Sequence, residues 1–503
     1  MLIRSLIAFV LLFSAAVTRT TSKAQTRPVV WTAGLQPVEN PNQPNPTAKK
    51  TANVAVATAS PTPFTPNDPR YSAAWANLMG LPQAWAKINA IEQTTGPVGP
   101  DAVVVVADGA LGCDQPDMAG KCLTQYTRDF TGEAQYDQPT FHHGWSVGSI
   151  IAAGVNNGIG PASVGGLTPH IKLVSAKIIN SSNQTFPSLF RQAMQYALDL
   201  KGQGVNVVAF NASFGGPGDD NIPESLRLIH LLEQQGITLV AGAAESTAPV
   251  NLDNNPSAMY PAAYAATCPN VIAVTGLTSD GQQMLFDDNW GSRTVALAAP
   301  ATNVPVISPL DPINGAGSFS DTSAATPHVT AAIALMRVYK EVDPARAIQR
   351  VKRGAVPYPE LTGKVGFGAL NLDNAFSLTL PPTAVQLVLD GDTGNVLAFE
   401  SPQMTTAPFK LAATHAFAAP DGATRVMLFA QNVILASGEG ASSVVVKADG
   451  GINLPVEFAG SVPDRPWLLE MIVKLPSNLP TAANISLTVH GETSNVGVLR
   501  TQP

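Results

Sequence analysis

The chain has 503 residues, 45% hydrophobic and only 13% charged, about half the usual charged share of about 25%, which excludes disorder for most of its length and allows two or three domains. Its 29 Lys and Arg against 36 Asp and Glu leave a net charge of −7, and no basic stripe is present to neutralise phosphates, so nucleic-acid binding is set aside. Seven His and three Cys are too few and too scattered for a zinc framework.

Residues 1–24 carry Arg4, the apolar run Leu6–Phe13 and a small-x-small ending at Ser22–Lys23–Ala24. That run is short for a bilayer and no other stretch reaches about 18 apolar residues, so the segment reads as an export signal, with an uncleaved N-terminal anchor as the bland alternative. A secreted, extracellular monomer without a stable membrane anchor is expected. Residues 25–65 are punctuated by Pro41–Asn42–Gln43–Pro44–Asn45–Pro46 and Pro61–Thr62–Pro63. Such composition resists a packed core and reads as an extended linker or a short pro-segment, without a chemical motif.

From residue 66 to 380 apolar strands alternate with helical stretches. Ala102–Ala107 is an unbroken apolar, mostly β-branched run, as a parallel strand buried on both faces requires. Further strands are predicted at Lys172–Ala176, Val205–Phe210, Ile237–Ala241 and Val271–Val274, with helices at Trp145–Ala153, Pro187–Leu200 and Glu224–Gln235. This order predicts an α/β domain with a doubly wound parallel sheet, whose chemistry belongs at the carboxyl ends of its strands.

Three residues sit where that rule places a site. Asp108 follows the first strand, His143 opens a small-residue helix, and Ser323 opens the apolar helix that runs on through Ala331–Met336. A serine hydroxyl is a poor nucleophile until an imidazole takes its proton, and that imidazole needs a buried carboxylate to fix its tautomer. Taken singly, each has a plainer reading: Asp108 as a turn residue, Ser323 as a helix cap, His143 as a packing residue. It is their order and surroundings that point to chemistry.

Those surroundings resemble the subtilisin-like serine peptidases, the subtilase family, over Pro66 to about Leu378. Pro66–Ser72 and Leu81–Trp85 are similar to the family's mature N-terminus, and Val103–Met118 resembles its aspartate motif, with Gln115–Pro116–Asp117–Met118 standing for His-Pro-Asp-Leu. His143–Gly144–x–x–Val147 resembles the histidine motif, Thr322–Ser323–x–Ala325–Thr326–Pro327–His328–Val329 the nucleophile motif, and Gly366–Asn371 the closing signature. The resemblance implies a subtilisin-like fold, an Asp108–His143–Ser323 triad and a protein or peptide substrate. It also implies that Ser213, Phe214 and Gly215, within Asn211–Gly216, pair with an extended peptide, a job for small residues and bare backbone. An α/β-hydrolase elbow is rejected, because Asn211 breaks the G-x-S-x-G pattern.

Several positions depart from the family. Trp145 replaces a small residue beside His143 and is expected to crowd the imidazole. Asp321 takes the place of a glycine before Thr322. Glu245 stands where the family has the asparagine that donates to the oxyanion. Three readings of Glu245 are open: ionised, it opposes the oxyanion; protonated, it donates; turned to solvent, it leaves the task to Asn251 or Asn254. A sedolisin-like exchange of base is disfavoured because His143 is retained.

The resemblance further implies a structural Ca²⁺, held by Asp68, Asp117, Val155, Asn157 and Ile159, since hard oxygen donors on a loop suit that ion. Without the resemblance, Asn156–Asn157–Gly158 is simply a turn. Cys113 and Cys122 are expected to close a disulfide in an exported protein, with Cys268 left over or taking either partner. Past Pro381–Pro382, short β runs at Val385–Leu389, Arg425–Ala430, Ser443–Lys447, Leu468–Lys474 and Ile485–Val489 predict an immunoglobulin-like β-sandwich over 381–503, where His415 and His490 stand isolated. Two functions are carried forward: a secreted serine endopeptidase, and an inactive relative that binds peptides or acts as a scaffold.

Overall fold

The computed structural model describes residues 62–133 and 142–502, apart from breaks at 279, 282, 312, 316, 381–384, 391–392, 414, 416–418, 434, 436–438, 450, 463–464 and 490–491, together with 29, 31–33 and 38–39. The expected export signal, most of the 25–65 linker, the boundary at Pro381–Pro382 and His490 lie outside the described residues.

In chain order the strands of the larger domain, with two in the segment before it, are β1 (Trp31–Ala33), β2 (Val38–Glu39), β3 (Ala102–Asp108), β4 (Arg128–Asp129), β5 (Ile171–Lys177), β6 (Gln184–Thr185), β7 (Val207–Ala212), β8 (Phe214–Gly215), β9 (Thr238–Gly242), β10 (Val271–Leu277), β11 (Val295–Pro300), β12 (Val304–Val306), β13 (Gly317–Phe319) and β14 (Gly368–Ala369). Eight of them form one sheet in the order β14-β11-β10-β9-β7-β3-β5-β4, and its ladders are parallel.

The period-2 geometry of a strand sends alternate side chains to opposite faces. In β3, Val104 and Val106 enter one apolar core with Val147, Ile150 and Ile333, while Val103, Val105 and Ala107 enter a second core with Phe190, Ala193 and Leu228. Helices His143–Ala152 and Thr322–Tyr339 therefore cover one face, and helices Pro187–Gly202 and Ile222–Gln234 the other. This is the doubly wound sheet expected. Its order of growth reverses at β3, flanked by β5 and β7, and the crevice for chemistry opens beyond the carboxyl end of β3.

The strand predicted at Val205–Phe210 begins two residues later. Val205 closes the preceding turn, its N–H donating to the Leu200 carbonyl after Gly204 has taken a φ of 90°. Two small antiparallel sheets, β6-β1-β8 and β12-β13-β2, were not legible in the sequence, and they draw on residues 31–33 and 38–39 of the supposed linker.

Downstream lie sheets of five and six strands, centred on Arg425–Gln431 paired with Arg465–Lys474 and on Val444–Ala448 paired with Ala482–Val489. Val426, Leu428 and Ala430 of one sheet share a core with Val446, Ile485 and Leu487 of the other, which makes this region a β-sandwich. His415 is not isolated there: its Nε2 lies 3.2 Å from Glu400 Oε1. Among the described residues no helix is long and apolar enough to cross a membrane.

Candidate active site

Asp108, the last residue of β3, is fully buried. Its carbonyl accepts from Ile178 and Ile179 N–H at 2.8 and 3.1 Å, which ties the strand end to the chain leaving β5. Its Oδ1 accepts from Gly109 N–H at 2.7 Å. Across the crevice His143 presents Nδ1 to both carboxylate oxygens, at 2.8 and 3.0 Å. A proton held on Nδ1 by that carboxylate makes Nε2 the basic nitrogen.

Glycine at 144 permits this approach. A Cβ there would lie 2.4 Å from the Ala110 carbonyl oxygen and 2.5 Å from that of Gly109, so the helix bearing His143 reaches Asp108 only without a side chain at its second position. Trp145 finds space over Gly112, where a Cβ would meet the indole at 2.5 Å, and packs edge-on against His142 at 4.8 Å. The Trp145 indole is thus accommodated by Gly112 and His142, a placement the expectation of crowding did not foresee.

Ser323 is the second residue of helix Thr322–Tyr339 and almost wholly buried. Its Oγ donates to the Ser213 carbonyl at 3.0 Å, and the Ser213 hydroxyl donates back to the Ser323 carbonyl at 3.2 Å. Asn211 steadies the exchange: its Nδ2 donates to Ser213 Oγ at 3.0 Å and its Oδ1 accepts from Thr330 Oγ1 at 2.7 Å. The His143 ring packs edge-on against Phe319, four residues before Ser323, with centroids 5.0 Å apart.

A cavity of about 350 Å³ opens at this point, lined by Phe214, Gly215, Gly242, Glu245, Asn289 and Ser323. Ser213, Phe214 and Gly215 are therefore brought together with Ser323, β8 forming one wall. Glu245 lines the cavity rather than turning away, and its Oε2 accepts from Thr322 Oγ1 at 2.9 Å. Neither Asn251, whose Oδ1 accepts from the Asp253 N–H at 2.9 Å, nor Asn254 is among the residues lining the cavity. Asn289, which the sequence did not single out, braces the segment behind Glu245: Nδ2 donates to the Ala243 carbonyl and Oδ1 accepts from Val250 N–H, both at 2.9 Å.

Burial pushes the Glu245 carboxyl up to about 7, and the nearby Asp321 carboxyl adds to the shift, against an opposing pull from the Thr322 hydroxyl and His143. Asp288, whose backbone bridges that of Glu245, is also buried and raised well above the carboxylate range by desolvation first. Its Oδ2 accepts from Gly276 N–H at 2.6 Å and Thr275 Oγ1 at 3.0 Å. Asp321 itself holds φ 69° and ψ −174°, a region that is essentially glycine's and strains other residues by about 1–3 kcal/mol.

Of the loop expected to hold calcium, Asp117 is buried and among the described residues its Oδ2 accepts no hydrogen bond, while Oδ1 accepts from Asn157 Nδ2 at 2.8 Å. A bare, buried carboxylate oxygen suits a hard cation. Asp68 fits the ion less well: its two oxygens take the N–H groups of Asn156, Asn157 and Gly158 at 2.7, 3.0 and 3.2 Å, which anchors the loop as a cap would. Among the described residues no three His, Cys, Asp or Glu side chains converge as a metal cluster. Beside the site Cys113 and Cys122 form a disulfide, Cα atoms 5.8 Å apart, and Cys268 is a buried thiol.

Comparison with known proteins agrees with this geometry. The chain is 26% identical over 267 residues to the major intracellular serine protease of Bacillus subtilis strain 168, a match covering 52% of this chain and 74% of that protein. It is 28% identical over 241 residues to subtilisin amylosacchariticus of Bacillus subtilis subsp. amylosacchariticus, covering 48% and 56%. The solved structure of fervidolysin from Fervidobacterium pennivorans, a keratinolytic enzyme related to subtilisin, aligns with a TM-score of 0.52 at 17% identity, over 91% of this chain and 60% of that one. The peptidase S8 model, that of the subtilase family, matches residues 99–368, more than half of the sequence, and the chain belongs to the subtilase family.

Proposed function

We propose that the chain is an exported serine endopeptidase. In this reading His143 Nε2 takes the proton of Ser323 Oγ as that oxygen bonds to a peptide carbonyl carbon. Asp108 fixes the tautomer and stabilises the imidazolium. The proton then passes to the departing amine as the C–N bond breaks, and water hydrolyses the ester by the same route. The observation that carries the reading is the fully buried Asp108–His143 pair, at 2.8 Å, with the His143 ring packed on Phe319, four residues before Ser323. Export rests on the composition of residues 1–24.

Glu245 takes the oxyanion position as a neutral acid that donates its own proton. A carboxyl held up to about 7 is partly protonated near neutrality, whereas its ionised form opposes the developing charge. Calcium enters only as a brace for the loop, with Asp117, Asn157 and the carbonyls of Val155 and Ile159 as its holders, and supplies no chemistry to bond cleavage.

Glu245 and Asp321 also favour a second reading, an inactive peptide-binding relative. A fluorophosphonate probe separates the two. The endopeptidase reading expects labelling of the full chain that disappears in Ser323→Ala. No labelling of the wild type, with labelling gained in Glu245→Asn, establishes the second reading instead.

A further inference from the structure

The disulfide between Cys113 and Cys122 takes no part in the proposed reaction, yet it closes on the chain five residues after Asp108. Between Asp108 and Cys113 the backbone runs through Gly109–Gly112 without helix or strand, and this stretch is the shelf on which helix His143–Ala152 rests. A Cβ at Gly144 would strike the Gly109 and Ala110 carbonyl oxygens, the Trp145 indole lies over Gly112, and a Cβ at Gly148 would stand 3.4 Å from Leu111 Cδ2. These contacts, spread along the start of the helix, set the height of His143 above Asp108. Irregular backbone lacks the ladder that stiffens a strand, so the place of the shelf depends on what ties its two ends.

One end is tied by β3 itself. The other is tied by the disulfide, whose second cysteine is fixed to the parallel sheet. The backbone of Cys122 forms a parallel bridge with Leu173 of β5. On either side of it Leu173 N–H donates to the Lys121 carbonyl at 2.9 Å and Leu123 N–H to the Leu173 carbonyl at 2.8 Å. Lys121 adds a buried side-chain anchor, its Nζ donating to the Gly166 and Thr168 carbonyls at 2.9 and 2.8 Å. Inside the loop that the two cysteines close, the Asp117 carbonyl accepts from Gly154 N–H at 2.9 Å, just past the far end of the same helix. The cross-linked loop therefore meets the histidine helix at both ends and joins its shelf to the sheet.

We propose that the Cys113–Cys122 disulfide is a positioning element for His143 and makes peptidase activity depend on oxidation, strong with the bond closed and weak with it open. This rests on the endopeptidase reading. Both cysteines are half-buried, within reach of a small dithiol. One thiolate of that reductant attacks a cystine sulfur, forming a mixed disulfide and expelling the other cysteine as its thiolate. The reductant's second thiol then closes its own disulfide, and two cysteine thiols are left, two electrons and two protons having passed to the protein. Opening the bond frees a loop that the cross-link had restricted, and a misplacement of about 1 Å in a catalytic group costs about 10²-fold in rate. Thiols stay reduced in the cytosol and pair outside it, so the chain remains weak until it is exported.

The test compares the full chain with its disulfide closed, reduced by dithiothreitol, and reoxidised. Fluorophosphonate labelling and hydrogen exchange of helix His143–Ala152 are the two readouts. Reduction is expected to lower the labelling rate constant at least about tenfold while the final extent of labelling holds. It is also expected to speed exchange in that helix while helix Ile222–Gln234 keeps its protection, and reoxidation is expected to reverse both effects. The variant carrying Cys113→Ser and Cys122→Ser is expected to label at the reduced rate and to ignore dithiothreitol, which separates this bond from Cys268. If that variant does not fold, the reduced wild type carries the comparison. Equal rates in the closed and reduced protein overturn the proposal and spare the endopeptidase. An unchanged rate constant with less protein labelled also overturns it, because that is loss of fold rather than a displaced imidazole. With no labelling in either state the endopeptidase reading fails, and exchange decides the brace: faster exchange confined to helix His143–Ala152 sustains it, and unchanged exchange overturns it.

Discussion

The two halves of the site are built on opposite electrostatic terms. Around Asp108 and His143 one buried carboxylate faces one imidazole across 2.8 Å, a glycine clears the approach, and a backbone N–H supports the acid. Beside Ser323, Glu245 has two further carboxyls near it, those of Asp321 and Asp288, and both Glu245 and Asp288 are pushed upward, chiefly by burial. A buried negative charge is stable where a hydrogen-bonded partner meets it and costly where like charges are its neighbours. The first half has its acid and its imidazole already paired. In the proposed reading the second needs a proton on Glu245.

Breaking the first half has the largest expected effect. Asp108→Asn keeps the shape but offers Nδ1 the wrong partner, and kcat/KM is expected to fall about 10⁴-fold in a peptide-hydrolysis assay. Repairing the second half comes next. Glu245→Gln supplies a neutral donor that does not titrate, and activity at pH 8 is expected to rise about tenfold, because a carboxyl held up to about 7 keeps its proton on only about one molecule in ten one unit higher. The smallest effect belongs to Asp321→Gly, which relaxes the backbone at φ 69° and removes a charge beside Glu245. Thermal unfolding of that variant is expected to move upward by a few degrees, consistent with about 1–3 kcal/mol of released strain.

The first half was also the more legible in the sequence. An unbroken Val103–Val106 run announces a buried parallel strand, and a strand end, a His-Gly pair and a helix start are local signals. Ser213, Phe214 and Gly215 were readable only through the resemblance of Asn211–Gly216 to the family's substrate-binding strand. The environment of Glu245 was not: whether it faces the cavity or solvent depends on Asp288 and Asn289, more than forty positions away and joined to its segment only through the sheet. The strand at Trp31–Ala33 was hidden for a related reason. Its surroundings are linker-like in composition, and its extended form is imposed by the open edges of β6 and β8 rather than by propensity. The strain at Asp321 was foreshadowed only as a glycine replaced.

In the proposed reading the serine half works through a protonated Glu245, and the pH dependence of the fluorophosphonate labelling rate at Ser323 decides whether it does. A carboxyl raised to about 7 loses its proton as pH climbs through that value, so the wild-type rate is expected to fall toward tenfold per unit on the alkaline side. Glu245→Gln is expected to hold its rate across the same range. Superimposable alkaline limbs for the two proteins would mean that Glu245 gives no proton to the oxyanion.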